Sequence, residues 1–243
     1  MKAIELWVAS LSKKGVNYGQ VLSRLSAIRH HAKKYATSIK LSSHRLELML
    51  KGLKKTRRMR PEKTPITLSR LKRLHRASNS LRRLDALRFK TMTTLAFFGF
   101  LRPSELCISA SGHTLLRNDI KLGSNGKYCY IRFRTFKHSE RTQKIRIEEH
   151  TSRSICPVKT LKAYLNSMVE APSQQPLFDI TTKEFREILE DLRQLAGIKS
   201  QITPHCFRVG GATWASKQGW SEARIQLHGR WKSGAHRIYI RPY

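Results

Sequence analysis

The segment from Met92 to Phe98 is almost continuously apolar, and it limits the possible folds of this chain more than any other feature. A helix that is apolar all round has no face to turn towards water, so it has to lie inside a domain. Gly99 follows the segment and Pro103 comes shortly after, which is typical of a helix end followed by the first turn of another helix. The sequence therefore predicts a domain built around one buried helix.

Most of the remaining chain has the apolar periodicity of helices. The first fifty residues predict a small bundle with Lys and Arg on its outer faces, a break between Gly15 and Gly19, and Ser43 as the cap of a third helix. A long helical pattern leads into the buried segment. Leu68, Leu71 and Leu74 begin this pattern, and Leu81, Leu84 and Leu87 form a second stripe in it. The helices predicted beyond the buried segment are Val158–Val169, Lys183–Ala196, Phe207–Gln218, Ser221–His228 and a short one around Ile238.

One region has the alternating pattern of strands. Asn125-Gly126 is a strong hairpin signal, and Tyr128–Arg134 alternates after it. A further strand is predicted over Lys144–Glu148, with Ile145 and Ile147 on one face. The predicted fold class is therefore mainly α with a small antiparallel β-sheet.

The charge of the chain restricts its partners. Lys and Arg total 48 against 16 Asp and Glu, a net charge of +32, and the basic residues are spread along the whole sequence. Such a chain repels itself unless a polyanion screens it. An anionic membrane surface would require an apolar face or a lipid anchor, and the sequence has no long apolar run or secretory signal. Nucleic acid is the predicted partner, and no membrane is expected.

Six of the ten residues of Lys51–Arg60 are basic, and Pro61 and Pro65 follow them. We interpret this stretch as a linker between a helical DNA-binding domain, residues 1–60, and a second domain, residues 61–243. A nuclear targeting signal is an equally compatible interpretation. The side chains expected to contact DNA phosphates here are Lys54, Lys55, Arg57 and Arg58.

The cysteine spacing gives no sign of a metal site or a disulfide framework. Cys107, Cys129, Cys156 and Cys206 form no C-x-x-C pair and match no zinc pattern. They are typical of thiols in a reducing compartment, the cytosol or the nucleus.

Several polar residues are unusual for packing and suited to phosphate chemistry. Arg102 follows the apolar helix and requires an anion or a carboxylate, for which Glu105 is the structural alternative. His205 and Arg208 share a helical face just after Thr203-Pro204, where the helix N-terminus favours phosphate. Lys137, in the turn between two strands, and Tyr239, near the end of the chain, are each unremarkable alone.

The order of these residues is specific. The phrases Gly-Phe-Leu-Arg-Pro-Ser-Glu-Leu, His-Cys-Phe-Arg-Val-Gly-Gly-Ala-Thr and Gly-Arg-Trp-Lys-Ser, followed by Tyr-Ile-Arg, resemble the tyrosine recombinase (phage integrase) family. They look most like the recombinases of eukaryotic Crypton and DIRS-type transposable elements. The resemblance implies a tyrosine recombinase catalytic fold over residues 61–243, preceded by a helical, SAM-like core-binding domain that is partly present.

The resemblance also implies a reaction. Tyr239 would attack a DNA phosphate and form a 3′-phosphotyrosine, while Arg102 and Arg208 stabilise the charge on the phosphate oxygens. Lys137 would protonate the departing 5′-oxygen, and His205 would act as general base or hydrogen-bond the phosphate. This chemistry requires no metal and no other cofactor.

Two positions depart from the family pattern. The last auxiliary residue of the family is His or Trp nine positions before the nucleophile, and Arg230 stands there. For this auxiliary position Trp231 fits by residue type, Arg230 fits by spacing, and His228 is a third candidate. Arg230 is separately a candidate for a contact with a DNA phosphate. Tyr243 is the alternative nucleophile, since it lies one helical turn from Tyr239.

The expected function is site-specific integration and recombination of double-stranded DNA by a homotetramer on paired sites, located in the nucleus if the chain is eukaryotic. One alternative is a type IB topoisomerase, which uses a similar residue set and relaxes supercoils as a monomer. Others are a domesticated DNA-binding protein that no longer cuts and a generic RNA-binding protein.

Overall fold

The computed structural model describes residues 2–35, 43–55, 64–110, 112–134, 142–168, 172–232 and 234–240. The chain divides into two compact units, Met1–Glu62 and Lys63–Tyr243. Each is considered by itself below.

The first unit contains three helices, α1 (Lys2–Lys13), α2 (Tyr18–Lys34) and α3 (His44–Lys55). Asn17 and Gln20 form a capping box that starts α2, and the Ser43 hydroxyl accepts a hydrogen bond from the backbone of Leu46 at the start of α3. The helices pack on a small apolar core made by Val8, Leu11, Val21, Leu25 and Leu46. Their basic residues therefore lie on the outside.

The second unit is built around α5 (Arg83–Phe98), in which ten of sixteen residues are buried. The other helices of this unit are α4 (Leu68–Ala77), α6 (Pro103–Leu106), α7 (Pro157–Asn166), α8 (Thr182–Leu195), α9 (Pro204–Lys217) and α10 (Glu222–Gly229). Helix α9 crosses α5 closely, because Gly211 has no side chain to collide with the carbonyl of Phe97. The predicted buried central helix is confirmed.

The sheet is antiparallel, with the order β1 (Ile120–Leu122), β2 (Tyr128–Phe133), β3 (Gln143–Glu148). Ile131 of β2 pairs with Ile120 on one side and Ile145 on the other, so one face of the sheet is apolar and joins the core around α5. Asn125-Gly126 lies in the β1–β2 connection, where Gly126 adopts a φ of 68°. The predicted class, mainly α with a small antiparallel sheet, is confirmed.

The boundaries of several elements differ from the prediction. Helix α9 begins at Pro204, ahead of the predicted Phe207, because proline is well suited to the first helical turn. Helix α7 ends at Asn166 and β2 at Phe133. The segment around Ile238 is a 3-10 helix, Gly234–Tyr239, instead of an α-helix. Ionic contacts with α10 hold this segment, as described below.

Candidate active site

The second unit brings together residues that are far apart in the sequence. The turn after α5, the start of α6, the first turns of α9, the end of α10 and the terminal 3-10 helix meet at one place. The sequence-predicted residues found there are Arg102, His205, Arg208, Arg230, Trp231 and Tyr239. Local structure explains their placement, since Arg102 is the N-cap of α6, while His205 and Arg208 lie in the first turns of α9.

Arg208 is the centre of this cluster, and its side chain is fully buried. One terminal nitrogen donates to the carbonyl of Phe100, and the other donates to the carbonyl of Gly229 at 2.6 Å. The guanidinium carbon lies 4.2 Å from the ring centre of Trp231 and 5.5 Å from that of Tyr239. Burial, with the nearby charges of other arginines, lowers the pKa of Arg208. The group still stays protonated, because the pKa of a guanidinium starts above 12.

Three donors in this cluster have no acceptor. Nε of Arg208, Nε of Arg230 and Nε1 of Trp231 are buried and make no hydrogen bond within the described part of the chain. A buried N–H without a partner costs free energy, so such groups are uncommon in folded proteins. Each of the three donors therefore has capacity for an acceptor that the described residues do not supply.

Tyr239 packs against the two neighbouring aromatic side chains. Its ring centre lies 4.9 Å from that of Trp231 and 5.2 Å from that of His205. The hydroxyl of Thr213 on α9 donates to the backbone carbonyl of Tyr239 at 3.0 Å. Tyr239 and His205 are half-buried. The Tyr239 phenol ring therefore lies close to both the His205 imidazole and the Arg208 guanidinium.

The segment that carries Tyr239 is also held by Glu222 at the start of α10. Arg237 donates to the Glu222 carboxylate at 3.0 Å, and the buried His236 lies 3.4 Å from the same oxygen. No sequence pattern indicated this role for Glu222, since the two contacts join residues that share no repeating motif.

Arg102 forms the ion pair that the sequence offered as an alternative. Its Nη1 lies 2.8 Å from Oε1 of Glu105, and its backbone N–H donates to Oε2 at 2.7 Å. The Arg102 side chain keeps 19% of its surface exposed, so pairing with Glu105 does not enclose it fully. The pair and a phosphate contact are therefore compatible.

Glu105 lies beneath three arginines. Burial acts to raise its pKa, but Arg230, Arg208 and Arg102 together outweigh that effect, and the pKa lies below its ordinary value. The carboxylate is therefore ionised. The sequence suggested Glu105 only as a partner of Arg102, whereas the structure gives it Arg230 as well, at 2.9 Å.

Arg230, which the sequence offered as a phosphate contact, lies in the interior of the second unit. Its side chain has no exposed surface and is enclosed by Glu105, backbone carbonyls and the ring of Phe133. A DNA phosphate does not reach this guanidinium in the described arrangement. Its carbonyl accepts a hydrogen bond from Nη2 of Arg102 at 3.4 Å.

His228, the third candidate for the auxiliary position, also points inward. Its Nε2 lies 2.8 Å from the carbonyl of Phe98, and its ring packs edge-on against Phe100. Burial is the largest cause that lowers the pKa of His228 to about 4. The imidazole is neutral at pH 7 and belongs to the packing of α10.

Lys54 and Lys55 are exposed at the end of α3 in the first unit. Lys137, Arg57, Arg58 and Tyr243 lie outside the described residues.

Neither a metal-binding cluster nor a membrane-spanning helix is found among the described residues. They contain no group of three or more His, Cys, Asp and Glu side chains placed to hold a metal ion. None of their helices combines the length and the apolar character that a membrane crossing requires.

The fold resembles that of solved recombinases. A λ integrase dimer bound to a COC′ core site aligns with a TM-score of 0.64 at 16% identity, covering 98% of this chain and 78% of that chain. XerA recombinase aligns with a TM-score of 0.57 at 20% identity, covering 99% and 77%. The Tn1549 transposon integrase in complex with circular intermediate DNA gives 0.58 at 13% identity, covering 98% and 80%. At these low identities the TM-scores show a common fold and nothing more.

The family comparison is more direct. No curated protein matches the sequence significantly. Residues 65–243, which contain the whole cluster around Arg208, match the phage integrase family. The chain therefore belongs to the phage integrase family, the tyrosine recombinases.

Proposed function

We propose that this chain is a site-specific DNA recombinase that cuts and rejoins double-stranded DNA through a 3′-phosphotyrosine at Tyr239. The observation that carries the proposal is the convergence of Tyr239 with Arg208, His205 and Trp231, next to Arg102. Membership of the phage integrase family and the recombinase fold support it. The subgroup that we propose is that of Crypton and DIRS-type transposable elements, and the proposed compartment is the nucleus.

The proposed cleavage step is an in-line displacement at phosphorus. The Tyr239 phenol oxygen forms a bond to the scissile phosphorus, and the bond from phosphorus to the 5′-oxygen breaks. His205 accepts the phenol proton or hydrogen-bonds the phosphate, and Lys137 gives a proton to the departing 5′-oxygen. Attack by the 5′-hydroxyl of a partner strand reverses these steps and releases Tyr239.

The arginines stabilise the negative charge that develops on the phosphate. Arg102 offers its partly exposed side chain, and Arg208 offers Nε, which has no acceptor among the described residues. The free indole N–H of Trp231 is a third donor, which makes Trp231 our choice for the auxiliary residue. Donors that are fixed before the reaction stabilise the transition state without a cost of reorganisation.

The described arrangement requires a movement before cleavage. Arg208 has no exposed surface, and the rings of Trp231 and Tyr239 lie beside its guanidinium. We propose that DNA binding shifts the segment that carries Tyr239, so that a phosphate enters between the phenol and Arg208. The homotetramer on paired sites that we propose would perform this step at each of its active sites.

A nicked suicide duplex tests the proposal. Cleavage next to the nick releases a short oligonucleotide, so the covalent protein–DNA adduct accumulates and is visible on a denaturing gel. We expect an adduct with the wild-type chain, and none with Tyr239→Phe, which keeps the ring packing but removes the nucleophile. If the wild-type chain binds DNA and forms no adduct, a domesticated DNA-binding protein is favoured. In a separate assay with supercoiled plasmid, relaxation of the plasmid without recombinant products would favour a topoisomerase.

A further inference from the structure

We infer that Arg230 is a positioning residue that holds both catalytic arginines, instead of a group that binds phosphate. The inference rests on the recombinase function proposed above. It concerns the position where the sequence departs from the family pattern.

The backbone of Arg230 is the first observation. Arg230 adopts the left-handed conformation, with φ of 57° and ψ of 46°, at the end of α10. In the described part of the chain, Phe100 is the one other non-glycine residue with a positive φ, at 49°. Residues held in this region are strained and tend to cluster at functional sites. The two are joined directly, because Nη2 of Arg230 donates to the carbonyl of Phe100 at 3.1 Å.

The side chain of Arg230 is held from several directions. Nη1 donates to the carbonyls of His228 at 2.8 Å and Gly99 at 3.3 Å. Nη2 also reaches Glu105, and the guanidinium carbon lies 3.8 Å from the ring centre of Phe133. A planar guanidinium can satisfy several acceptors at fixed angles, whereas a lysine ammonium is a single point charge.

Arg230 reaches Arg102 by two routes. Glu105 pairs with Arg230 through Oε2 and with Arg102 through Oε1. The carbonyl of Arg230 also accepts from Nη2 of Arg102. A shift of Arg230 would therefore move both the carboxylate and the carbonyl that orient Arg102.

Arg230 reaches Arg208 through the backbone. The carbonyl of Phe100 accepts hydrogen bonds from both arginines. The second acceptor of Arg208 is the carbonyl of Gly229, in the peptide that joins directly to Arg230. The strained turns at Phe100 and Arg230 thus supply both carbonyls that hold the catalytic guanidinium of Arg208.

The burial of Arg230 also decides which positive charge balances the Glu105 carboxylate. Arg230 lies fully buried against the Glu105 carboxylate, so it neutralises that charge inside the protein. The positive charges of Arg102 and Arg208 are then left for the phosphate. An error of about 1 Å in the placement of such groups lowers a reaction rate about 100-fold.

The test is single-turnover cleavage of the suicide duplex at saturating protein by Arg230→Lys. We expect the cleavage rate to fall about 100-fold while DNA affinity stays within about threefold of wild type. The matched control is Arg193→Lys, because Arg193 also contacts a glutamate, Glu190, and backbone carbonyls, but outside this cluster. The control should cleave at the wild-type rate per folded molecule.

A second substrate separates positioning from a general loss of structure. In this duplex a methyl group replaces one non-bridging oxygen of the scissile phosphate, so the arginines have less charge to stabilise. We expect the defect of Arg230→Lys to shrink to about tenfold or less on this substrate. A structural defect would lower the rates on both substrates by the same factor.

Several outcomes would overturn the inference. The first is an Arg230→Lys cleavage rate within about threefold of the wild-type rate. The second is an equal loss of cleavage rate on the two substrates. The third is a salt dependence of DNA binding by Arg230→Lys that is reduced by about one phosphate contact. If Arg230→Lys does not fold, Glu105→Gln gives the same test, since it breaks the same ion pair, and its full activity would overturn the inference. A wild-type chain without an adduct would overturn the proposed function and this inference together, whereas equal cleavage by wild type and variant would overturn this inference alone.

Discussion

The two units of the chain place their ionisable side chains in opposite environments. In the first unit every buried residue that the structure describes is apolar, and the basic residues lie outside. The second unit buries Glu105, Arg208, Arg230 and two histidines, His75 and His236. Exposed charges are solvated and contribute little to stability, while buried charges depend on their partners.

The charged residues of the two units are therefore expected to respond differently to substitution. In the first unit the basic residues that the structure describes are exposed, so we expect single exchanges to have little effect on folding. In the second unit a few charges are fixed by many contacts, so we expect each exchange to lower stability and, under the proposed function, the cleavage rate. The predictions below test this contrast, and they are ordered by expected effect.

The largest effect is expected for Arg208→Lys. The three donors of a lysine ammonium sit on one nitrogen, so they lack the planar fork with which Arg208 spans the Phe100 and Gly229 carbonyls and keeps Nε for a phosphate. We therefore expect single-turnover cleavage to fall about 1000-fold. The control is Arg24→Lys, an exposed residue of α2. A loss of less than tenfold in Arg208→Lys would contradict the proposed role.

The next effect concerns stability. Glu105→Ala leaves the buried guanidinium of Arg230 without its carboxylate, so we expect the free energy of unfolding to fall by about 3 kcal/mol in urea denaturation. Glu47→Ala, at an exposed position of α3, should change it by less than about 0.5 kcal/mol. Similar losses in the two variants would remove the contrast between the units.

A third prediction concerns pH. Burial lowers the pKa of His75 to about 4, from its ordinary value of 6.5 in an unfolded chain. Between these values the unfolded chain binds more protons, so stability is complete above pH 6.5 and is lost as the pH falls towards 4. We expect His75 to account for a loss of about 1.5 kcal/mol between pH 6.5 and 5.

Urea denaturation of His75→Gln at both pH values measures this contribution. The variant should lose less stability than wild type over the same interval. His30→Gln, at an exposed position of α2, should follow the wild-type pH dependence. An unchanged pH dependence in His75→Gln would show that His75 is not the group responsible.

The smallest effect on folding is expected for Lys54→Ala and Lys55→Ala at the end of α3. Both side chains are exposed, so the free energy of unfolding should change by less than about 0.5 kcal/mol. If each lysine contacts a phosphate, the slope of log affinity against log salt should fall by about one in each variant. A slope equal to that of wild type would exclude these residues from DNA contact.

The sequence predicted the elements that depend on local patterns. The buried α5 follows from its continuous apolar residues, and the start of α6 follows from Pro103 after Arg102. The β1–β2 connection follows from Asn125-Gly126, because Gly126 takes a positive φ at no steric cost. Periodicity and turn chemistry carry this information within a few residues.

The placement of Arg230 could not be predicted in the same way. Its carboxylate partner is Glu105, 125 residues earlier in the chain, and its burial depends on Phe133 in β2. Spacing alone made Arg230 a candidate for the auxiliary position, because it stands nine positions before Tyr239. The tertiary partner decides its role, and a single sequence does not show that partner.

The most direct test of the account is the identity of the residue that carries DNA after cleavage. The adduct from the suicide duplex is digested with nuclease and protease, and the peptide that retains a nucleotide phosphate is sequenced by mass spectrometry. We predict that the modification lies on Tyr239 through its phenol oxygen. A phosphate on Tyr243 or on any other residue would contradict the arrangement around Arg208 described here.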